Sequence, residues 1–346
     1  MDYTTINSMN EYYRQSSISM PVNKTLQCVS YMQNKGYVAA GGMEGLLKVF
    51  KMIDNPHNKA REVKTIPLPG TTNLETNQTL EGHSGTVNIV AWNEIYHKLT
   101  TSDSNGLIIV WMIHQDQWYE EMINNRNKST VVDMAWSHDG QRIAIAYEDG
   151  QVIVGSCDGN RLWSKEINGN LAKVCWSPDS TLLLFGMVDG EVHAYNANGD
   201  HVLKVPMACL DNVELESALA IFVEDLRKDS IISMEYFVPP YEEPAEGRLG
   251  TNQDPPAFTR EDSSNPVRTI VNDDRNRLLV AYQHGVVQLM RHESDQNQVV
   301  CRLNMVISQA CWSPCGMMIA VSGHQTDLPD TERNVLTFLN AYGQVK

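Results

Sequence analysis

The side chains best suited to chemistry stand in one stretch of this chain: His83, Thr101, Asn105 and Trp111. An imidazole near a hydroxyl could serve as a general base that activates a nucleophile. That chemistry also needs a positioned nucleophile and a cradle for developing charge, and the sequence holds no GxSxG, HExxH, P-loop or dinucleotide-type glycine pattern. A buried, fully hydrogen-bonded network asks for the same residue types and needs no nucleophile. The seven cysteines, Cys28, Cys157, Cys175, Cys209, Cys301, Cys311 and Cys315, are odd in number and form no CxxC pair. They read as small thiols of a reducing compartment, Cys311 in a strand core and Cys315 in the turn after it, and not as metal ligands. The chain is therefore expected to be non-enzymatic, with no catalytic residue, cofactor or metal.

What must position these residues is a repeat. Segments VNIVAWNEIYHKLTTSDSNGLIIVW from Val87, VVDMAWSHDGQRIAIAYEDGQVIVG from Val131, LAKVCWSPDSTLLLFGMVDGEVHAY from Leu171 and ISQACWSPCGMMIAVSG from Ile307 share one plan. An apolar pair leads to tryptophan, a polar turn, a second apolar run, a turn with glycine and a third apolar run, which predicts strand, turn, strand, turn, strand. Trp92, Trp136 and Trp176 recur at the spacing of a four-stranded propeller blade. Together with Tyr31, which takes the tryptophan's place in the first unit, and Trp312, they are expected to be blade-core aromatics.

The fold class that follows is all-β, a WD-repeat β-propeller with six recognisable blades of a seven-bladed ring. Either the ring is incomplete, as in part of a longer protein, or the blades rearrange to six. Residues 16–346 form the propeller, with 1–15 as a disordered N-terminal extension and Ile18–Pro21 as an edge strand that completes the last blade. Two polar stretches interrupt the repeat. Residues 53–78, with Pro56, Pro67 and Pro69, read as a loop between blades, and the proline- and acid-rich 238–267 reads as a mobile loop inside the fifth blade. Both inserts are expected to tune partner contacts.

The 346 residues carry 42 acidic against 27 basic side chains, a formal charge of −15. Such a field disfavours phosphate backbones and anionic headgroups, so neither nucleic acid nor direct membrane insertion is expected. No run of about 18 apolar residues is present to cross a bilayer.

The Gly82-His83 pair resembles the dipeptide that precedes a WD blade. In that family a histidine, a hydroxyl on the second strand, an acid in the following turn and a tryptophan on the third strand form a hydrogen-bonded chain. The resemblance assigns these places to His83, Thr101, Asn105 and Trp111. Asn105 stands where an acid is usual and Met112 replaces the aspartate after the tryptophan, so a weakened network is expected. The phrases NQTLEGHSGTV, KLTTSDSNGLIIVWM, EEMINNRNKSTV, YEDGQVIVGSCDGNRLW, LLLFGMVDGEVHAY and VQLMRHESDQN are less generic. They closely resemble the first propeller of the WD-repeat subunit, thirty-five/one-hundred-twenty-one type, of intraflagellar transport complex A. That resemblance implies a non-enzymatic scaffold for retrograde ciliary transport, ciliary membrane-protein entry and cilium assembly. Its partners would be other complex A subunits and ciliary cargo proteins, and its location the cilium, basal body and cytoplasm. Family members continue into a second propeller and a helical-repeat solenoid.

Overall fold

The computed structural model describes residues 24–54, 72–126, 129–211, 230–239, 277–325, 328–329 and 332–346. Alternating apolar positions generate six antiparallel sheets, each a meander with its strands in chain order. Blade 1 holds β1 (Leu26–Met32), β2 (Tyr37–Gly42), β3 (Leu47–Asp54) and β4 (Thr72–Thr79); blade 2 holds β5 (Val87–Asn93), β6 (Lys98–Asp103), β7 (Leu107–His114) and β8 (Gln117–Asn125). Blade 3 is β9 (Val131–Trp136), β10 (Arg142–Tyr147), β11 (Gln151–Ser156) and β12 (Arg161–Glu166); blade 4 is β13 (Leu171–Trp176), β14 (Leu182–Met187), β15 (Val192–Asn196) and β16 (His201–Val205). A single helical turn, α1 (Ala208–Asp211), precedes blade 5, which is β17 (Ile231–Tyr236), β18 (Leu278–Tyr282), β19 (Val286–Met290) and β20 (Val299–Arg302). Blade 6 has three described strands, β21 (Val306–Trp312), β22 (Met318–His324) and β23 (Asn334–Asn340).

The repeat is geometric as well as verbal. In all six blades the pairing of the first two strands slips once at the same place, for example between Leu26 and Cys28, Val87 and Ile89, and Leu171 and Lys173. A bulge there adds the local twist that lets successive sheets fan round an axis. The Asp149-Gly150 and Asp189-Gly190 turns close with glycine at φ +79° and +88°, a conformation open to glycine without steric cost.

Each central strand sends alternate residues to opposite faces, so its blade packs on both neighbours. In β18, Leu278, Val280 and Tyr282 join the core shared with blade 4, while Leu279 and Ala281 join the core shared with blade 6. Five such cores lie between consecutive blades, from 1 and 2 through to 5 and 6. Among the described residues no sixth core joins blade 6 to blade 1. The consequence shows at the first residue of the inner strand: Val87, Val131, Leu171, Ile231 and Ile307 are at most 9% exposed, but their counterpart Leu26 is 43% exposed. Farther along the same face of blade 1, Ala40 and Phe50 stay buried. On the other flank Leu336, the counterpart of Ile108, is 59% exposed.

Three sequence expectations change. The 53–78 insert is a connection within blade 1 and not between blades, because its two ends pair as β3 and β4, Asp54 opposite Thr72. The TNLETNQT strand was illegible because an outer edge strand has no buried face to impose apolar alternation. Cys311 is exposed and not a core thiol, since no described blade packs on that face of its inner strand. The extension 1–15, the Ile18–Pro21 strand, and all of the 238–267 insert after Pro239 lie outside the described residues.

Candidate functional site

Strand β6, KLTTSD, is buried at every position, as the second strand of a blade enclosed on both faces must be. Its two threonines point opposite ways. Thr100 Oγ1 accepts the indole N–H of Trp136 in blade 3 at 3.0 Å, tying blade to blade. Thr101 Oγ1 lies 2.7 Å from His83 Nε2 and accepts the Trp111 indole N–H at 2.9 Å. His83, Thr101 and Trp111 are thus brought together.

The fourth member is Asp103, not Asn105. Asp103 Oδ2 lies 3.2 Å from His83 Nδ1 at ion-pair distance and accepts the Gly85 amide at 3.2 Å. Its Oδ1 accepts the amides of Asn105 and Leu107. The Asn105 side chain instead donates to Ser84 Oγ at the surface, 3.2 Å away. The reason is register: Asp103 ends β6 and points inward opposite Val87, whereas Asn105 sits at the outer tip of the turn. Asp103 thus takes the place expected for Asn105, but His83 Nδ1 is buried at ion-pair distance from it without a well-formed hydrogen bond, and Met112 is a 40% exposed residue outside the network.

Burial lowers the His83 pKa below the ordinary histidine value, with Asp103 and then Glu120 opposing the shift. A neutral ring that carries its proton on Nδ1 can face the carboxylate and leave Nε2 to accept from Thr101. The side chains of His83 and Asp103 are 1% and 0% accessible, so no substrate reaches them. The arrangement fastens the loop before β5 to the blade.

The five aromatics do not share one fate. Trp176 and Trp136 are buried, at 1% and 8% exposure, but Tyr31 is 42% exposed and Trp92 and Trp312 are half-buried. Trp136 and Trp176 belong to inter-blade cores, Trp92 and Trp312 pack against such cores from their edges, and Tyr31 lies outside them near the end of its inner strand. Tyr31, Trp92, Trp136, Tyr236, Phe237 and Trp312 wall a cavity of about 340 Å³ that also receives Glu94, His138 and Glu235. Trp92 donates to Ser30 O and Trp176 to Ala135 O, each in the preceding blade. The Trp312 indole N–H is buried and finds no acceptor.

The cavity carboxylates were not singled out by their sequence neighbours. Glu235 Oε1 accepts the Trp312 amide at 2.5 Å, an inter-blade latch, and the carboxyl lies so deep in the molecule that its pKa is pushed up to about 7. Glu94 accepts the amides of Gln33 and Asn34, and burial raises its pKa as well. A second cavity, about 290 Å³, lies between blades 1 and 2 beside Tyr37, Lys51, Asp116 and Trp118. Desolvation raises the thiol pKa values of Cys28, to about 11, and of Cys175 well beyond that, which leaves them unreactive. Among the described residues no group of three or more His, Cys, Asp or Glu side chains is placed to hold a metal ion. No described helix is long and apolar enough to cross a membrane.

Comparison with known proteins adds to this geometry. The family model for the WDR35/TULP4 N-terminal propeller matches residues 11–235. WD repeat-containing protein 35 of Homo sapiens is 42% identical over 335 residues, 96% of this chain and 25% of that protein. Tubby-related protein 4 of Homo sapiens is 32% identical over 279 residues, 78% of this chain and 17% of that protein. The chain thus spans about a quarter, or less, of the length of these relatives. A chain in a crystal structure of the mitotic checkpoint complex superposes with a TM-score of 0.59, covering 94% of this chain and 79% of its own length at 14% identity, a likeness of fold alone. With six blades, a family match across more than half its length and 42% identity to one member over 96% of its residues, this chain belongs to the WDR35/TULP4 N-terminal β-propeller family.

Proposed function

We propose that this chain is a non-enzymatic scaffold of intraflagellar transport complex A, acting in retrograde ciliary transport, ciliary membrane-protein entry and cilium assembly. The observation that carries the reading is the 42% identity to WD repeat-containing protein 35 across 96% of the chain. The histidine with the richest polar surroundings is sealed inside a blade, which supports a binding role over a catalytic one. Its partners on this reading are other complex A subunits and ciliary cargo proteins, met in the cilium, at the basal body and in the cytoplasm. A generic WD-repeat adaptor, of the coat or ubiquitin-ligase receptor type, is the alternative; the weaker identity to Tubby-related protein 4 supports it less.

The test is affinity purification of the tagged protein from ciliated cells with mass spectrometry of what it retains. Recovery of complex A subunits in stoichiometric amounts is the expected result. Recovery of ubiquitin-ligase or coat subunits without them would overturn the ciliary reading.

A further inference from the structure

Rotational repetition brings four aromatic side chains, Tyr31, Trp92, Trp136 and Trp312, from equivalent ends of four inner strands to one cavity. Phe237 completes the wall and meets Trp312 with ring centroids 5.9 Å apart and planes tilted by 53°. Aromatic faces present negative charge density, which attracts a cation placed over them. Two carboxylates, Glu94 and Glu235, share that space, and no lysine or arginine lines it. Glu94 spends both oxygens on the amides of Gln33 and Asn34. Glu235 uses Oε1 for the Trp312 amide, and no described residue hydrogen-bonds its Oε2. A carboxylate held deep in a protein without a cationic partner is costly, and it is a ready counter-ion for a ligand that brings the missing charge.

We infer that this aromatic cup is a binding site for an arginine side chain of a partner protein. The planar guanidinium stacks on indole faces and donates a fork of N–H groups to a carboxylate, whereas a lysine ammonium is a strongly hydrated point charge that matches the flat walls less well. The chain's excess of acid over base, −15 overall, favours the approach of a basic partner segment. The inference rests on the chain being a binding scaffold and not on its ciliary placement, so complex A recovery and arginine binding fail independently.

The full chain, labelled with ¹⁵N at its indoles, is titrated with Ac-Gly-Arg-Gly-NH2, with the lysine analogue and with the neutral citrulline analogue. The arginine peptide should shift the indole N–H signals of Trp92, Trp136 and Trp312, and leave that of Trp163, which donates to Ala197 O elsewhere, in place. Citrulline should bind at least about tenfold more weakly, a difference of about 1.4 kcal/mol, with lysine between the two. Glu235→Gln keeps an acceptor for the Trp312 amide and should weaken the arginine peptide by about tenfold or more. Glu191→Gln, which removes a carboxylate paired with Lys204 on the outer part of blade 4, should change nothing. Equal binding of citrulline, shifts confined to other tryptophans, or no shift at about 20 mM peptide would overturn the inference. If Glu235→Gln does not fold, the ratio of arginine to citrulline affinity in the unmodified chain decides alone.

Discussion

Asp103 Oδ2 lies 3.2 Å from His83 Nδ1 while Oδ1 of the same carboxylate holds two turn amides, so one side chain anchors both the loop before β5 and the β6–β7 turn. Removing it strands several buried groups at once. Asp103→Ala should cost about 2 to 4 kcal/mol, since each buried group left unpaired costs about 1 to 3 kcal/mol. His83→Ala should lower the melting temperature as well, by less, and Asn105→Ala should stay within about 0.5 kcal/mol because its bond to Ser84 is exposed. Urea denaturation of the three variants checks this; equal losses for Asp103→Ala and Asn105→Ala would refute the assignment of Asp103.

Two buried groups should tilt stability against pH in opposite directions. His83 has a folded pKa below its ordinary value of 6.5, so the unfolded chain binds the proton first. Its contribution is intact above about pH 6.5 and is lost as pH falls below it. Glu235 has a folded pKa of about 7 against an ordinary 4.5, so the folded chain binds the proton first, and its contribution is intact below about pH 4.5 and lost as pH rises towards 7. Glu235→Gln should therefore stabilise the protein at pH 8 by about 2 kcal/mol. Denaturation midpoints of wild type and variant at pH 5 and pH 8 check it; a larger gain for the variant at pH 5 would have the wrong sign.

The lack of a sixth core among the described residues is open to measurement. Leu171, sealed between blades 3 and 4 at 4% exposure, should lose about 2 to 5 kcal/mol on change to alanine. Leu26, its counterpart at 43% exposure, should lose less than about 1 kcal/mol in the same assay. A loss at Leu26 as large as that at Leu171 would mean that this flank of blade 1 is covered in solution.

Trp312 carries a buried N–H without an acceptor, and Trp176 carries one that is satisfied by Ala135 O. Trp312→Phe removes the unpaired donor and should cost under about 1 kcal/mol, whereas Trp176→Phe leaves a carbonyl unpaired and a void in a full core, and should cost about 2 kcal/mol or more. Thermal unfolding of the pair checks the order.

The amino-acid sequence by itself determined the blades. Period-two alternation, glycine-closed turns and a tryptophan or tyrosine near the end of each inner strand are local signals, and they set the six units and the order of their inner strands, though not the outer strand β4. The His83, Thr101 and Trp111 members of the network were legible for the same reason, each standing at a fixed place in one repeat. What only the tertiary structure decided is what converges across repeats. Asp103 displaced Asn105 because strand register, and not position in a turn, aims a side chain. Glu94 and Glu235, far apart in the chain, meet Tyr31, Trp92 and Trp312 because rotation about a common axis brings equivalent strand ends together. The uncovered flanks at Leu26 and Leu336 follow from the same cause. A residue in a blade is buried by its neighbouring blade, and no local pattern records whether that neighbour is there.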